Sequence, residues 1–249
     1  MKSTPFIILF ILCLLASCTG KQSSPKGVVA TTGWTAAYAL AAGATDISIL
    51  APYEMVHPSE YELRPGDIGR LTGANLVVYA GYEVMVNQIK TGLKIPEERL
   101  LMISTGYKLE EIEKSVMLIA KSLGTEAVAG RNMEEIRLLF AEGREAVHQK
   151  GLDTLPALVH FFQESIAEEL GIKSLMVFGP APPEPRQILA MAQTNATLII
   201  DNAHNPVGGP MRDILKDGDY KQLLNFPGLY QTRTIADVIQ YNISQLTGK

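Results

Sequence analysis

The chain has 249 residues, is 47% hydrophobic and carries a formal net charge of −4, enough material for one large or two small α/β cores. It has no arginine-rich stripe and no platform of stacking aromatics, so a nucleic-acid partner is excluded. The only cysteines are Cys13 and Cys18, which leaves the rest of the chain without a disulfide or a thiolate metal site.

The amino terminus reads as an export signal. Lys2 precedes a short apolar run, PFIILFILCLL (5–15), and LASC (15–18) closes it. A run of this length is too short to span a bilayer stably. LASC resembles the lipobox of bacterial lipoproteins, in which the cysteine takes a lipid and becomes the first residue. The segmentation expected is a signal peptide at 1–17, lipid on Cys18, and a polar tether, 18–27. The protein would then sit outside the cytoplasm, anchored to a bacterial membrane by lipid.

From Val28 onward apolar runs alternate with helical patterns, which predicts βαβ units and mainly parallel sheets. VVATT (28–32) is followed by a small-residue helix, 34–42, and ISIL (47–50) by a loop holding His57 and Glu62. Pro65 and Asp67 announce a short helix. NLVVYA (75–80) and RLLMIS (99–104) read as strands, with Glu83 just past the first of them. A helix from Lys108 carries Leu109, Ile112, Val116, Ile119, Ala120 and Leu123 at helical spacing and is stopped by Gly124. Residues 131–150 form an amphipathic helix with Asn132 as its expected N-cap, separating an N-terminal lobe (28–130) from a C-terminal lobe (151–249). In the second lobe LPALVHFF (155–162), SLMVFG (174–179) and ATLIID (196–201) are strands. A Gly-rich turn and short helix lead to LLNFPG (223–228). Ile235, Val238, Ile239, Ile243 and Leu246 share one face of a final helix. The fold class is therefore α/β: two doubly wound lobes, one bridging helix, and a ligand cleft between the lobes.

Three of the four histidines fall just beyond strand carboxyl ends, where open α/β sheets bind ligands: His57 in the first lobe, His160 and His204 in the second. Glu83 and Asn225 occupy the same kind of position. Imidazole nitrogen with a carboxylate suits zinc or a related divalent ion, so the expected metal ligands are His57, His160, His204 and Glu83. Asp201 is expected to orient an imidazole from behind, with Glu62 and Asn225 as alternative ligands. His148 lies at a helix carboxyl end, where the dipole favours a cation. Three nitrogen donors favour zinc, while Glu83 or Asp201 as direct ligands would move the site toward manganese.

The stretch VVATTGWTAAYALAAGATDISILAP…HPSEYELRPGDIGRLTGANLVVYAGYE resembles the amino lobe of the metal-binding receptors of zinc/manganese-type ABC importers, through His57, Tyr61, Glu62, Pro65, Asp67 and Ile68. LVHFFQESIAEELGIKSLMVFGPAPPEPRQI resembles their second lobe, through His160. The resemblance covers nearly the whole mature chain. It implies two α/β lobes on a rigid helix, a divalent metal held between them as cargo, no catalytic residue, and an ABC permease with its ATPase as partners of a monomeric receptor. The family's second histidine, before the bridging helix, is absent, with GTEAVAGRN in its place. Asn225 stands roughly where a late aspartate is usual. The chain thus reads as a divergent subgroup in which His204 and Glu83 would compensate.

Two other readings stay open. DNAHNP (201–206) looks like a segment of ATP-dependent amide ligases, but no G-x-x-x-x-G-K-[ST] phosphate loop accompanies it. A metallohydrolase would use the same histidines to activate water. A receptor for an organic ligand or a metal chelate would cover a ring with Trp34, Tyr53, Tyr82 and Phe161.

Overall fold

The structure is a computed structural model that describes residues 26–215 and 218–248. The expected signal peptide, Cys18 and nearly all of the tether lie outside the described residues.

Two four-stranded parallel sheets form the frame. The first contains β1 (Lys26–Ala30), β2 (Ile47–Ile49), β3 (Ala74–Tyr79) and β4 (Leu100–Met102), in the order β2-β1-β3-β4. The second contains β5 (Ala157–His160), β6 (Ser174–Phe178), β7 (Leu198–Asn202) and β8 (Asp219–Leu223), in the equivalent order β6-β5-β7-β8. Each sheet reverses direction beside its first strand, so each has a switch point between its two central strands. Side chains at that point look out beyond the sheet rather than into a crossover helix.

Helices cover the sheets: α1 (Gly33–Ala41), α2 (Pro65–Gly73), α3 (Met85–Gly92) and α4 (Leu109–Leu123) on the first, then α6 (Glu164–Glu169), α7 (Pro185–Ala192), α8 (Gly209–Ile214) and α9 (Ile235–Thr247) on the second. Asp67 closes the start of α2 by accepting from the Arg64 amide (2.8 Å) and from the Tyr61 hydroxyl (2.9 Å). Gly124 ends α4 in the left-handed conformation, at φ 69°, where glycine pays no Cβ penalty.

The bridging helix α5 runs Glu126–Gln149, 24 residues, about 36 Å at 1.5 Å per residue. It begins five residues before the expected start. Asn132 is not its cap: it lies inside the helix and its amide donates to the Ala41 carbonyl (3.0 Å), tying α5 to the end of α1. Met133, Ile136, Phe140 and Val147 of α5 are buried in one core that runs without a break from Val28 and Val78 of the first sheet to Val159 and Ile200 of the second. A continuous core of this kind resists shear between the lobes.

Two further boundaries differ from expectation. β5 stops at His160, and Phe161–Gln163 turn as a single 3₁₀ segment. The fourth strand of the second sheet is DYKQL (219–223), a polar stretch not singled out in the sequence, and most of the apolar LLNFPG forms the loop after it. Among the described residues, no helix is long and apolar enough to cross a membrane.

Candidate ligand-binding site between the lobes

The loops at the two switch points face each other across a cleft of about 660 Å³. The first lobe contributes Thr32 and Trp34 from the β1–α1 turn, Val56 to Ser59 from the loop after β2, Tyr82 after β3 and Thr105 after β4. The second contributes Phe161 and Phe162 after β5, Asn202, His204 and Asn205 from the end of β7, and Asn225 and Phe226 after β8. The turn after β1 is short because Thr32 caps α1 at once: its hydroxyl accepts from the Thr35 amide (3.3 Å) while the Thr35 hydroxyl accepts from the Thr32 amide (3.0 Å). Trp34 is thereby fixed at the cleft edge, stacked on buried Tyr107 (5.7 Å between ring centroids) and facing Phe226 of the other lobe (6.3 Å).

His57 and His204 reach this cleft from opposite lobes, in different states. His57 is exposed on its loop. His204 is packed: its ring stacks on Phe226 with centroids 3.7 Å apart, its amide donates to Asn202 Oδ1 (2.9 Å), and the Asn225 amide donates to its Nδ1 (3.4 Å). Burial pulls its pKa down to about 4, so the ring is neutral near pH 7. Asn225 is buried beside it, as expected of a residue just past a strand.

His160 is not in the cleft lining. It is fully buried at the end of β5, its Nδ1 accepting from the Phe162 amide (3.1 Å) and its ring packed against Phe178 (5.5 Å). The ring lies so close to Gly179 that a Cβ there would come within 2.6 Å of Nε2. Burial lowers its pKa.

The carboxylates are also committed elsewhere. Glu83 is buried and accepts from the Thr31 hydroxyl (2.6 Å) and the amides of Ala80 (2.9 Å) and Gly81 (2.7 Å). It knots the loops after β1 and β3 together. Asp201 does the same in the second lobe, accepting from the amides of Asn202 (2.8 Å) and Gly208 (2.7 Å) and from the Tyr220 hydroxyl (2.6 Å). It makes no hydrogen bond to an imidazole, so the expected orienting role is replaced by a loop-building one. Glu62 is exposed beside Tyr61 and Arg64 in a separate shallow groove. Tyr53 lies outside the cleft, its ring against Gly33 and under the Arg233 guanidinium (4.1 Å). His148 pairs with Asp153 (2.8 Å), which raises its pKa, on the exposed end of α5. Among the described residues, no group of three or more His, Cys, Asp or Glu side chains is placed to hold one metal ion.

Sequence reasoning overlooked Thr32, Thr105, Asn202, Asn205, Phe162 and Phe226. All lie at or just after strand ends, the signal that singled out the histidines. Position alone marks them, because amides, hydroxyls and phenyl rings do not announce metal chemistry.

No family model and no curated protein matches the sequence. Solved structures match in shape. FpvC, a substrate-binding protein from Pseudomonas aeruginosa solved with Mn2+, is 17% identical over 89% of this chain and 96% of its own, with a TM-score of 0.68. The laminin-binding protein Lbp of Streptococcus pyogenes is 16% identical over 89% and 97%, with a TM-score of 0.66. A Mn-bound periplasmic metal-binding protein from Candidatus Liberibacter asiaticus is 15% identical over 89% and 98%, with a TM-score of 0.61. At such identities the likeness speaks for architecture: the chain has the two-lobed fold of these proteins.

Proposed function

We propose that the protein is a receptor outside the cytoplasm that captures a divalent metal as cargo in the interlobe cleft and passes it to the permease of an ABC importer. The observation that carries this reading is the meeting of His57 and His204, more than a hundred residues apart and on different lobes, in one cleft at both switch points. The fold likeness supports it, since neighbours of the same architecture are recorded with manganese, nickel and cadmium. Those names do not single out zinc, so the reading is of a divalent transition metal without a preferred element. Lipid on Cys18, a monomeric state, and lobes at 28–130 and 151–249 belong to the same proposal. His160 and Glu83 remain in it as the supports of the loops that carry the cleft, not as donors. The work is capture and release, so no residue is assigned a catalytic role.

The test is elemental analysis of protein purified from its own cells without chelating agents. About one equivalent of a divalent transition metal per chain, lost in an H57A/H204A double variant that still melts cooperatively, is the expected result. Protein that carries no metal when isolated this way, and none after exposure to metal salts or their complexes, would overturn the reading.

A further inference from the structure

The charge and hydrogen-bond inventory of the cleft points to the form in which its cargo arrives. Among the described residues that line the cleft, none is Asp, Glu, Lys or Arg. A bare divalent cation entering this space would lose water without gaining a carboxylate, and a bare anionic ligand would find no cation. Either carries a large desolvation cost. A cargo whose charges cancel before entry carries far less of it.

Three of the cleft's polar groups are unpartnered and specific. Trp34 Nε1, His204 Nε2 and Asn225 Oδ1 are each buried without a hydrogen-bond partner among the described residues, and all three residues line the cleft. The Trp34 indole can only donate. At His204 the Nδ1 lone pair already takes the Asn225 amide, which places the proton of the neutral ring on Nε2, so this atom also donates. Metal at Nε2 would require that proton to move to Nδ1, opposite an N–H. The complement of these two donors is an acceptor oxygen, whereas Asn225 Oδ1 accepts and calls for a donor group or the metal itself. Around these donors the space is wide and aromatic: Tyr82, Phe161 and Phe162 are 55%, 52% and 40% exposed. A volume of about 660 Å³ is of the size that holds an organic molecule rather than an ion.

We propose that the metal enters as a charge-neutral complex with a planar, oxygen-donor organic chelator, whose oxygens accept from Trp34 Nε1 and His204 Nε2 and whose face packs against Tyr82, Phe161 and Phe162. The proposal rests on the reading of the cleft as a metal-cargo site and specifies the chemical form of that cargo. His57, exposed at the cleft, is free to take an open position on the metal.

Calorimetry on the purified protein tests it with zinc as a redox-inert divalent probe, in three arms: zinc salt alone, chelator alone, and the neutral two-to-one complexes of maltol and of tropolone with zinc. The single tryptophan, Trp34, gives an independent fluorescence signal at the site. The expected result is that at least one neutral complex binds tenfold or more tighter than zinc salt or free chelator and shifts Trp34 emission. H204F, which lacks the Nε2 donor, should weaken complex binding about tenfold, and H204Q, which keeps an amide N–H, less; thermal melting of both variants controls for folding. Zinc salt binding as tightly as the complexes would overturn the chelate proposal while leaving the receptor reading in place, and so would complex binding unchanged in a folded H204F. Binding of free chelator as tight as that of its complex would overturn it too, and would point to an organic cargo. Absence of binding in every arm would overturn both readings.

Discussion

The two lobes share a strand order and a way of building their switch points, yet they present very different histidines. In each sheet one buried carboxylate, Glu83 or Asp201, collects backbone amides and one hydroxyl and so fixes the loops beyond the central strands. On that equivalent frame the first lobe offers His57, exposed and unattached, while the second offers His204, stacked, hydrogen-bonded and held neutral by burial. The frame and the displayed group are thus separable: acidic residues that look like metal donors build the scaffold, and the displayed residues carry almost no charge.

The largest effects should come from the frame. Replacing Asp201 with Ala strands the amides of Asn202, Val207 and Gly208 and the Tyr220 hydroxyl in a buried setting, and Glu83→Ala strands two amides and the Thr31 hydroxyl. Each unsatisfied donor costs roughly 1–3 kcal/mol, so either variant should lose about 3 kcal/mol or more in urea denaturation. Equal losses would support the equivalence of the lobes. A stable D201A or E83A that loses only ligand binding would break it and return that carboxylate to the ligand set.

Next in size is Gly179→Ala. Gly179 has φ 78°, a region L side chains adopt at a cost, and the added methyl would meet the His160 ring at 2.6 Å. Strain and collision together predict a loss of about 2–3 kcal/mol, measured by the same denaturation. A neutral G179A would mean that His160 has room to swing and could reach the cleft.

Much of this frame is legible in the sequence. Apolar runs such as NLVVYA and ATLIID mark central strands because both their faces are buried, and Gly124 marks the end of α4 because only glycine adopts that backbone cheaply. β8 escaped because DYKQL is an edge strand with one half-wet face, so its residues are polar, while the apolar LLNFPG beside it covers the core from a loop. The start of α5 was misplaced because Asn132 looks like a cap, although its amide serves a distant carbonyl. At the site, position was legible and role was not. The strand-end rule located His57, His204 and Asn225 correctly, but whether a carboxylate faces the cleft or turns back to its own loop depends on one or two torsions. Glu83 and Asp201 both turn back.

A smaller effect distinguishes the displayed histidines by pH. An unfolded His204 takes up a proton near its ordinary pKa of about 6.5, whereas in the fold burial holds it unprotonated down to about 4. Between those values the unfolded chain binds more protons, so stability contributed by the neutral ring is full above about 6.5 and is lost as pH falls toward 4. Urea midpoints at pH 7 and pH 5 should therefore drop further in the native protein than in H204Q. His160, also lowered by burial, contributes to both curves and leaves the difference to His204. Parallel curves would place His204 in water rather than under Phe226.

The smallest expected effect is the most discriminating for the comparison of the lobes. His57 accepts and donates nothing through its ring among the hydrogen bonds of the structure, and it lies exposed on a loop held by backbone contacts such as the Glu60 amide donating to the His57 carbonyl (3.0 Å). Removing an exposed, unpartnered side chain changes stability by no more than about 0.5 kcal/mol, so H57A should melt with the native protein. Under the proposed function the same substitution should still weaken metal-cargo binding several-fold, because of the two imidazoles at the cleft only His57 has a lone pair that is not already engaged. Unchanged stability with weakened binding makes His57 a displayed donor to the metal, beside a His204 ring that contacts the rest of the cargo. Unchanged stability with unchanged binding would move the whole of the recognition to the second lobe and leave the first as its wall.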